Sequence, residues 1–180
     1  MIVAVSVIAA LTVINTVLLL AVIRRIGEHE HRFTQLSGGD PAIDLKVGDE
    51  VGDFELPSLD GAAFDSALHE GPLLIGIFSP TCSVCAEALP EFVEDPAVRA
   101  RARPVAIIAA EESDGARYVE GVLGQPQISI LIAPDTPENR SLMLDKLKVR
   151  GFPLFVELDE SRRVRSVGAD LGSLLQRRVT

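Results

Sequence analysis

Residues 2–23 carry aliphatic side chains at 18 of 22 positions, broken only by Ser6, Thr12, Asn15 and Thr16, and none is charged. Wound as a helix, a run of this length measures about 33 Å, enough to cross the hydrocarbon core of a bilayer. The pattern predicts a transmembrane anchor over residues 1–26, with residues 2–23 in membrane lipid. A cleaved signal peptide is the competing reading, but it requires a basic lead and an apolar stretch of roughly 7 to 15 residues. No basic residue precedes this run. A buried soluble helix is seldom apolar on every face over such a length.

Residues 27–47 are polar and aperiodic around Ser37-Gly38-Gly39-Asp40-Pro41, and read as a juxtamembrane linker. A compact domain is expected over residues 48–180. Phe54-Glu55-Leu56 alternates like a short strand, and Leu59-Asp60-Gly61 supplies a turn, so a hairpin is predicted there. The continuous apolar run 73–78 predicts a buried strand, followed at once by Ser79-Pro80-Thr81-Cys82 and a helix ending near Val93 or Glu94. Further strands are predicted over 104–110 and 128–132, with a helix over 114–122 between them. Leu142, Leu144 and Leu147 lie near helical spacing within 139–148. Two strands, 154–158 and 163–167, flank Asp159-Glu160-Ser161, and a helix over 171–178 closes the chain. Strands alternating with helices and ending in a hairpin predict an α/β domain around a mixed central sheet.

Charge narrows the function classes. The formal net charge is −9, against a surface built to neutralise phosphates, and one Tyr with no Trp offers little for stacking on bases. Nucleic acid is therefore excluded as a partner. Residues 40–95 hold 13 acids and the single base Lys46, whereas residues 96–180 hold 11 acids and 13 bases. Solvated acidic loops account for that imbalance, though it also biases partner choice toward basic surfaces. His29 and His31 have metal-ligand spacing, but no third ligand type accompanies them, and a solvated interfacial tract is the simpler reading.

The two cysteines, Cys82 and Cys85, sit where a buried strand turns into a helix. Positions three apart share a helix face, so their sulfurs can meet. The expected placement puts Cys82 at the helix N-terminus, where unpaired N–H groups and the helix dipole favour a thiolate, the form that attacks a disulfide. Cys85, one turn further in, would resolve the mixed disulfide. A structural disulfide would close too short a loop to restrict the unfolded chain much, and a zinc site would need four ligands where this pair supplies two.

With these residues in view, the chain resembles the thioredoxin-like superfamily over about residues 48–168, and within it the membrane-anchored TlpA-like thiol:disulfide oxidoreductases. The stretch Val51-Gly52-Asp53-Phe54-Glu55-Leu56-Pro57-Ser58-Leu59-Asp60-Gly61 is similar to the entry segment that these domains share with peroxiredoxins. Pro90 matches the proline of the active-site helix, and Val149-Arg150-Gly151-Phe152-Pro153 is similar to the cis-proline loop. The apolar span with Ile23-Arg24-Arg25-Ile26-Gly27, together with Phe78-Ser79-Pro80-Thr81-Cys82-Ser83-Val84-Cys85, is similar to the narrower group of MauD-like methylamine-utilisation accessory proteins. The resemblance implies a thioredoxin-like fold and a redox-active Cys82–Cys85 disulfide as the only redox group, with no metal and no further cofactor. It also implies a cis Phe152–Pro153 bond facing the cysteines, with Phe152, Pro153 and Thr81 meeting substrate and Pro80, Pro90 and Gly151 shaping the site. Thr81 stands where thioredoxins carry Trp, and Gly76 where they carry a buried Asp, so general-base help would come from water or from another carboxylate, with Glu87 a candidate.

The expected function is exchange with protein thiols and disulfides, in maturation of an extracytoplasmic enzyme, with a membrane or soluble redox partner that resets the pair. Arg24 and Arg25 beyond the span favour a cytoplasmic domain by the positive-inside rule, but long domains translocate largely regardless of flanking charge, and cysteine pairs of this kind serve oxidising compartments. An extracytoplasmic domain on a single-pass cell-membrane anchor is therefore expected. Two alternatives are a peroxidase of the peroxiredoxin kind, for which Ser79 fits the motif but Ile75 replaces its proline, and a metal-delivery module, which would need a wider cysteine spacing and a downstream His.

Overall fold

Five strands make the central sheet, in the order β5-β4-β3-β6-β7. They are β3 (Leu73–Phe78), β4 (Arg103–Ile108), β5 (Ser129–Ile132), β6 (Leu154–Leu158) and β7 (Val164–Gly168). In this computed structural model the described residues are 43–124 and 126–176, so the expected anchor and most of the expected linker lie outside them. Among the described residues no helix is long and apolar enough to cross a membrane. Strand β4 runs parallel to β3, and β5 parallel to β4, whereas β6 and β7 run antiparallel to their neighbours. A mixed α/β sheet is what the sequence pattern predicts.

Every residue of β3 is buried, as a strand covered on both faces requires. Leu73, Ile75 and Ile77 belong to one half of the core with Leu56, Phe64 and Leu147, while Leu74 and Phe78 belong to the other with Leu89 and Phe92. Parallel pairing needs crossovers. Helices α1 (Cys85–Glu94) and α2 (Pro96–Arg101) connect β3 to β4, and α3 (Glu112–Leu123) connects β4 to β5. The hairpin of β1 (Glu55–Pro57) and β2 (Ala63–Asp65) docks on the β5 edge, where Leu59 N–H and Ser58 Oγ both donate to the Ile130 carbonyl. Helix α5 (Leu171–Gln176) follows β7.

Three features differ from expectation. Helix α2 was not predicted, yet its start is written in the chain: the Asp95 carboxylate accepts from Ala97 N–H at 2.8 Å and Pro96 occupies the first turn. The expected single helix over 139–148 is instead α4 (Pro137–Ser141) running into a π-turn, Leu142–Lys146. Leu147 N–H donates to Leu142 O at 2.8 Å, five residues back. In an α-helix those two side chains would stand about 140° apart. The wider turn brings both into the core, at 5 % and 0 % exposure. Finally, packing begins before Gly48, because Leu45 is buried and Ile43 packs against the same core.

Candidate functional site

The Cys82–Cys85 site stands at the C-terminal end of β3, where the strand delivers its last residue, Phe78. Ser79 Oγ and Thr81 Oγ1 are 3.0 Å apart, and Cys82 N–H donates back to the Ser79 carbonyl at 3.1 Å. Cys85 N–H donates to the Cys82 carbonyl at 3.2 Å. Both bonds span three residues, so the chain turns tightly here and α1 starts at Cys85, not at Cys82 as expected. Cys82 occupies the turn ahead of the helix, and Cys85 is the first helical residue. The electrostatic consequence survives the correction: the Cys85 N–H at the helix start, which donates to the Cys82 carbonyl, also lies 3.2 Å from Cys82 Sγ. Cys82 is half-buried and Cys85 fully buried, and the two are joined as a disulfide with Cα atoms 5.3 Å apart.

Strand β6 explains what faces the pair. It lies antiparallel to β3 with Ile77 opposite Leu154, so the residues just before β6 arrive where β3 ends. Phe152–Pro153 is cis, as the resemblance implies, and the Phe152 carbonyl oxygen lies 3.5 Å from Cys82 Sγ. Phe152 is 38 % exposed and Pro153 buried beneath it, with Gly151 half-buried. Thr81 is exposed beside Cys82, and Pro80 half-buried. Pro90 lies within α1, which continues through it to Glu94. The loop ahead of Phe152 is tied down by two ion pairs, Lys148–Asp49 at 2.7 Å and Arg150–Asp44 at 3.0 Å. The Lys148 hydrogen bond holds the Asp49 carboxyl below the usual carboxylate range.

Beneath Cys85 the site is apolar. A β-carbon on Gly76 would meet Phe78 Cε2 at 2.7 Å and Phe92 Cε1 at 3.2 Å, so no acid fits there. Phe78, Phe92 and Phe155 pack with ring centroids 5.7 to 5.8 Å apart. Glu87 is exposed and, two residues from Cys85, stands about 200° around the helix from it. It is not placed to take the Cys85 proton. One carboxylate that the sequence reading passed over, Glu157, is 1 % exposed. It lies opposite Leu74, beyond the Gly76–Phe155 pair, and is already held by Arg101 and Ser166 at 2.8 and 2.9 Å. As one acid inside the apolar run Leu154–Leu158, it gave no signal beyond that of a strand.

Ser79 is buried behind Cys82, and Ile75 lies inside β3. Among the described residues no group of three or more His, Cys, Asp or Glu comes together as a metal site; His29 and His31 lie outside them. The arrangement brings together a nucleophile-competent sulfur, a donor aimed at it, a buried second sulfur and an open carbonyl.

No protein-family model matches the chain, and no curated protein matches it. Solved structures do. The thioredoxin domain of a thiol-disulfide oxidoreductase from Bacteroides vulgatus is similar with a TM-score of 0.60 at 14% identity, over 73% of this chain and 94% of that one. A secreted disulfide oxidoreductase from Mycobacterium tuberculosis, homologous to E. coli DsbE, is similar with a TM-score of 0.52 at 19% identity, over 65% and 83%. A peroxidoxin, BcpB, from the same species is similar with a TM-score of 0.53 at 21% identity, over 69% and 86%. The fold is thioredoxin-like.

Proposed function

We propose that this chain is a membrane-anchored thiol:disulfide oxidoreductase of the TlpA-like, MauD-like kind, exchanging its Cys82–Cys85 pair with disulfides of extracytoplasmic proteins. One observation carries the reading: Cys82 is half-buried, its Sγ 3.2 Å from the Cys85 backbone nitrogen and 3.5 Å from the Phe152 carbonyl oxygen, while Cys85 is sealed beneath it. The names of the structural neighbours support the same chemistry.

In the reducing direction the Cys82 thiolate attacks one sulfur of a substrate disulfide. That bond breaks, a Cys82–substrate disulfide forms, and the other substrate sulfur leaves as a thiolate. Cys85 then loses its proton to solvent or to the departing thiolate and attacks Cys82 Sγ, which releases the second substrate thiol and closes Cys82–Cys85. Two electrons pass to the substrate and stay there, and a dithiol redox partner resets the pair by reducing Cys82–Cys85 with two electrons of its own, itself becoming a disulfide. The reverse sequence oxidises a dithiol. Phe152 and Thr81 flank the reacting sulfur, and the Phe152 backbone offers a substrate strand its pairing partner. Pro153 and Gly151 shape that loop, while Pro80 and Pro90 shape the turn and helix that carry the cysteines. The apolar run 2–23 supplies the anchor, and maturation of an extracytoplasmic enzyme is the role such tethering suits.

The test is to trap the intermediate. The full chain carrying Cys85→Ser should accumulate a mixed disulfide with substrate proteins that runs as a shifted band without reductant, and Cys82→Ser should abolish it. If Cys85→Ser traps no partner, the exchange reading is wrong. Peroxide consumption in its place would favour the peroxidase alternative, and copper bound one to one would favour metal delivery. A topology reporter fused after Thr180 tests the compartment.

A further inference from the structure

A cleft of about 890 Å³ opens between the β1–β2 turn, α2 and the start of β5, at the end of the sheet away from the cysteines. Arg103 in its lining stands opposite Leu73, where β3 begins, whereas Cys82 follows the end of that strand. Leu59, Pro104, Ile128 and Ile130 give the cleft an apolar wall, and Arg99 and Arg103 stand against it. The volume is that of a small-molecule site.

These two arginines differ from the rest. Every other arginine among the described residues has a carboxylate oxygen within 4.0 Å. The Arg99 guanidinium has none. It donates to the Val93 carbonyl at 3.0 Å, which fixes one corner of its planar fork and leaves further N–H groups to give. Arg103 is exposed, and among the described residues its side chain makes no hydrogen bond and no ion pair. Asp60 also lines the cleft, but its carboxylate is turned on its own loop and accepts from Ala62 N–H at 3.1 Å. In a chain of formal charge −9, two like charges from separate elements thus face one cleft with no carboxylate of the chain on either. An oxyanion of charge two answers both, and guanidinium groups recognise phosphate through paired N–H donors.

We propose that this cleft binds a small phosphate monoester, its dianionic head on Arg99 and Arg103 and its organic group on the wall of Leu59, Ile128 and Ile130. The site does not rest on the exchange reading, since it shares no residue with the cysteine site.

The experiment titrates the full chain in dodecyl maltoside micelles with phenyl phosphate by calorimetry, at about pH 8, where a monoester carries close to two charges. Binding should saturate at one probe per chain. Arg99→Gln and Arg103→Gln should each weaken it about tenfold, the scale of one charge-assisted hydrogen bond. Arg117→Gln, which removes the same charge from α3, should leave it unchanged. Benzoate lacks the second charge and inorganic phosphate the apolar group, and each should bind about tenfold more weakly than phenyl phosphate. Phosphatidic acid added to the micelles separates two sources of the same head: displacement of phenyl phosphate assigns the site to a lipid, and undiminished binding assigns it to a soluble ester. The proposal is overturned if phenyl phosphate does not saturate, if benzoate binds as tightly, or if the Arg99→Gln, Arg103→Gln double variant binds like the wild type. Urea midpoints guard against a folding defect. Arg103→Gln should keep the wild-type midpoint, and loss of binding accompanied by a lowered midpoint would make Arg103 a structural residue and overturn its assignment to the ligand.

Discussion

Gly76 marks the point where one residue decides the character of the site. The rings of Phe78 and Phe92 occupy the space a side chain would need, and Phe78, Phe92 and Phe155 are all at or below 1 % exposure, so no ring can swing aside. We expect Gly76→Ala to destabilise the fold by about 1 to 3 kcal/mol through overpacking. The urea midpoint of the variant measures it, and an unchanged midpoint would mean that the aromatic cluster yields. That Gly76 lacks a carboxylate is plain from the sequence; the reason lies in packing. Of the two rings that exclude it, Phe92 comes from α1, 16 residues further along, and Phe155 of β6, 79 residues along, packs against both, so only tertiary folding closes the space. Cys85 is sealed within this apolar cluster, so of the pair only Cys82, with the Cys85 N–H beside its sulfur, reaches the surface.

At the scale of elements, much was legible. The run Leu73–Phe78 is apolar at every position, as a strand buried on both faces is, and the Cys-x-x-Cys pair begins four residues beyond it, where that strand turns into a helix. The cis-proline loop was legible only through resemblance, since its glycine and proline say little alone. The π-turn was not legible: Leu142, Leu144 and Leu147 fit an α-helical stripe, and only the hydrogen bond across five residues distinguishes the two. Helix α2 could have been read from Asp95-Pro96, but six residues with one buried position, Val98, leave little period to detect. Asp95 serves two helices, donating its N–H to the Glu91 carbonyl at the end of α1 and accepting from Ala97 at the start of α2. Asp95→Ala should cost about 1 kcal/mol of stability, as loss of an N-cap does. Its exchange rate with Ellman's reagent should stay that of the wild type, because Asp95 stands at the far end of α1 from Cys85. A slower rate would mean that the end of α1 governs the cysteines.

Across the whole domain, the first and last hairpins are strapped together away from the site. Arg162, 4 % exposed, donates to the carbonyls of Gly71, Ser66 and His69, and the His69 ring stacks on Phe64 with centroids 4.5 Å apart. Burial first, then the positive charges of Arg103 and Arg162, lower the His69 pKa from its ordinary 6.5, with Asp65 opposing them only in part. The folded chain therefore favours the neutral ring. Above pH 6.5 both folded and unfolded chains hold it neutral, and its contribution is constant. As pH falls below 6.5 the unfolded chain takes up a proton that the folded chain resists, so stability is lost until the folded ring titrates too. Asp49 and Asp60 act in a separate and lower window. Their depressed values stabilise the fold above their ordinary 3.8, and that contribution is lost as pH falls below it. Urea midpoints should therefore decline in two stages on acidification. His69→Phe, which keeps an aromatic ring on Phe64, should flatten the first stage between pH 7.5 and 5 and leave the second. A His69→Phe chain with the full wild-type decline over that range would assign the first stage to other groups and remove His69 from the strap's response to pH.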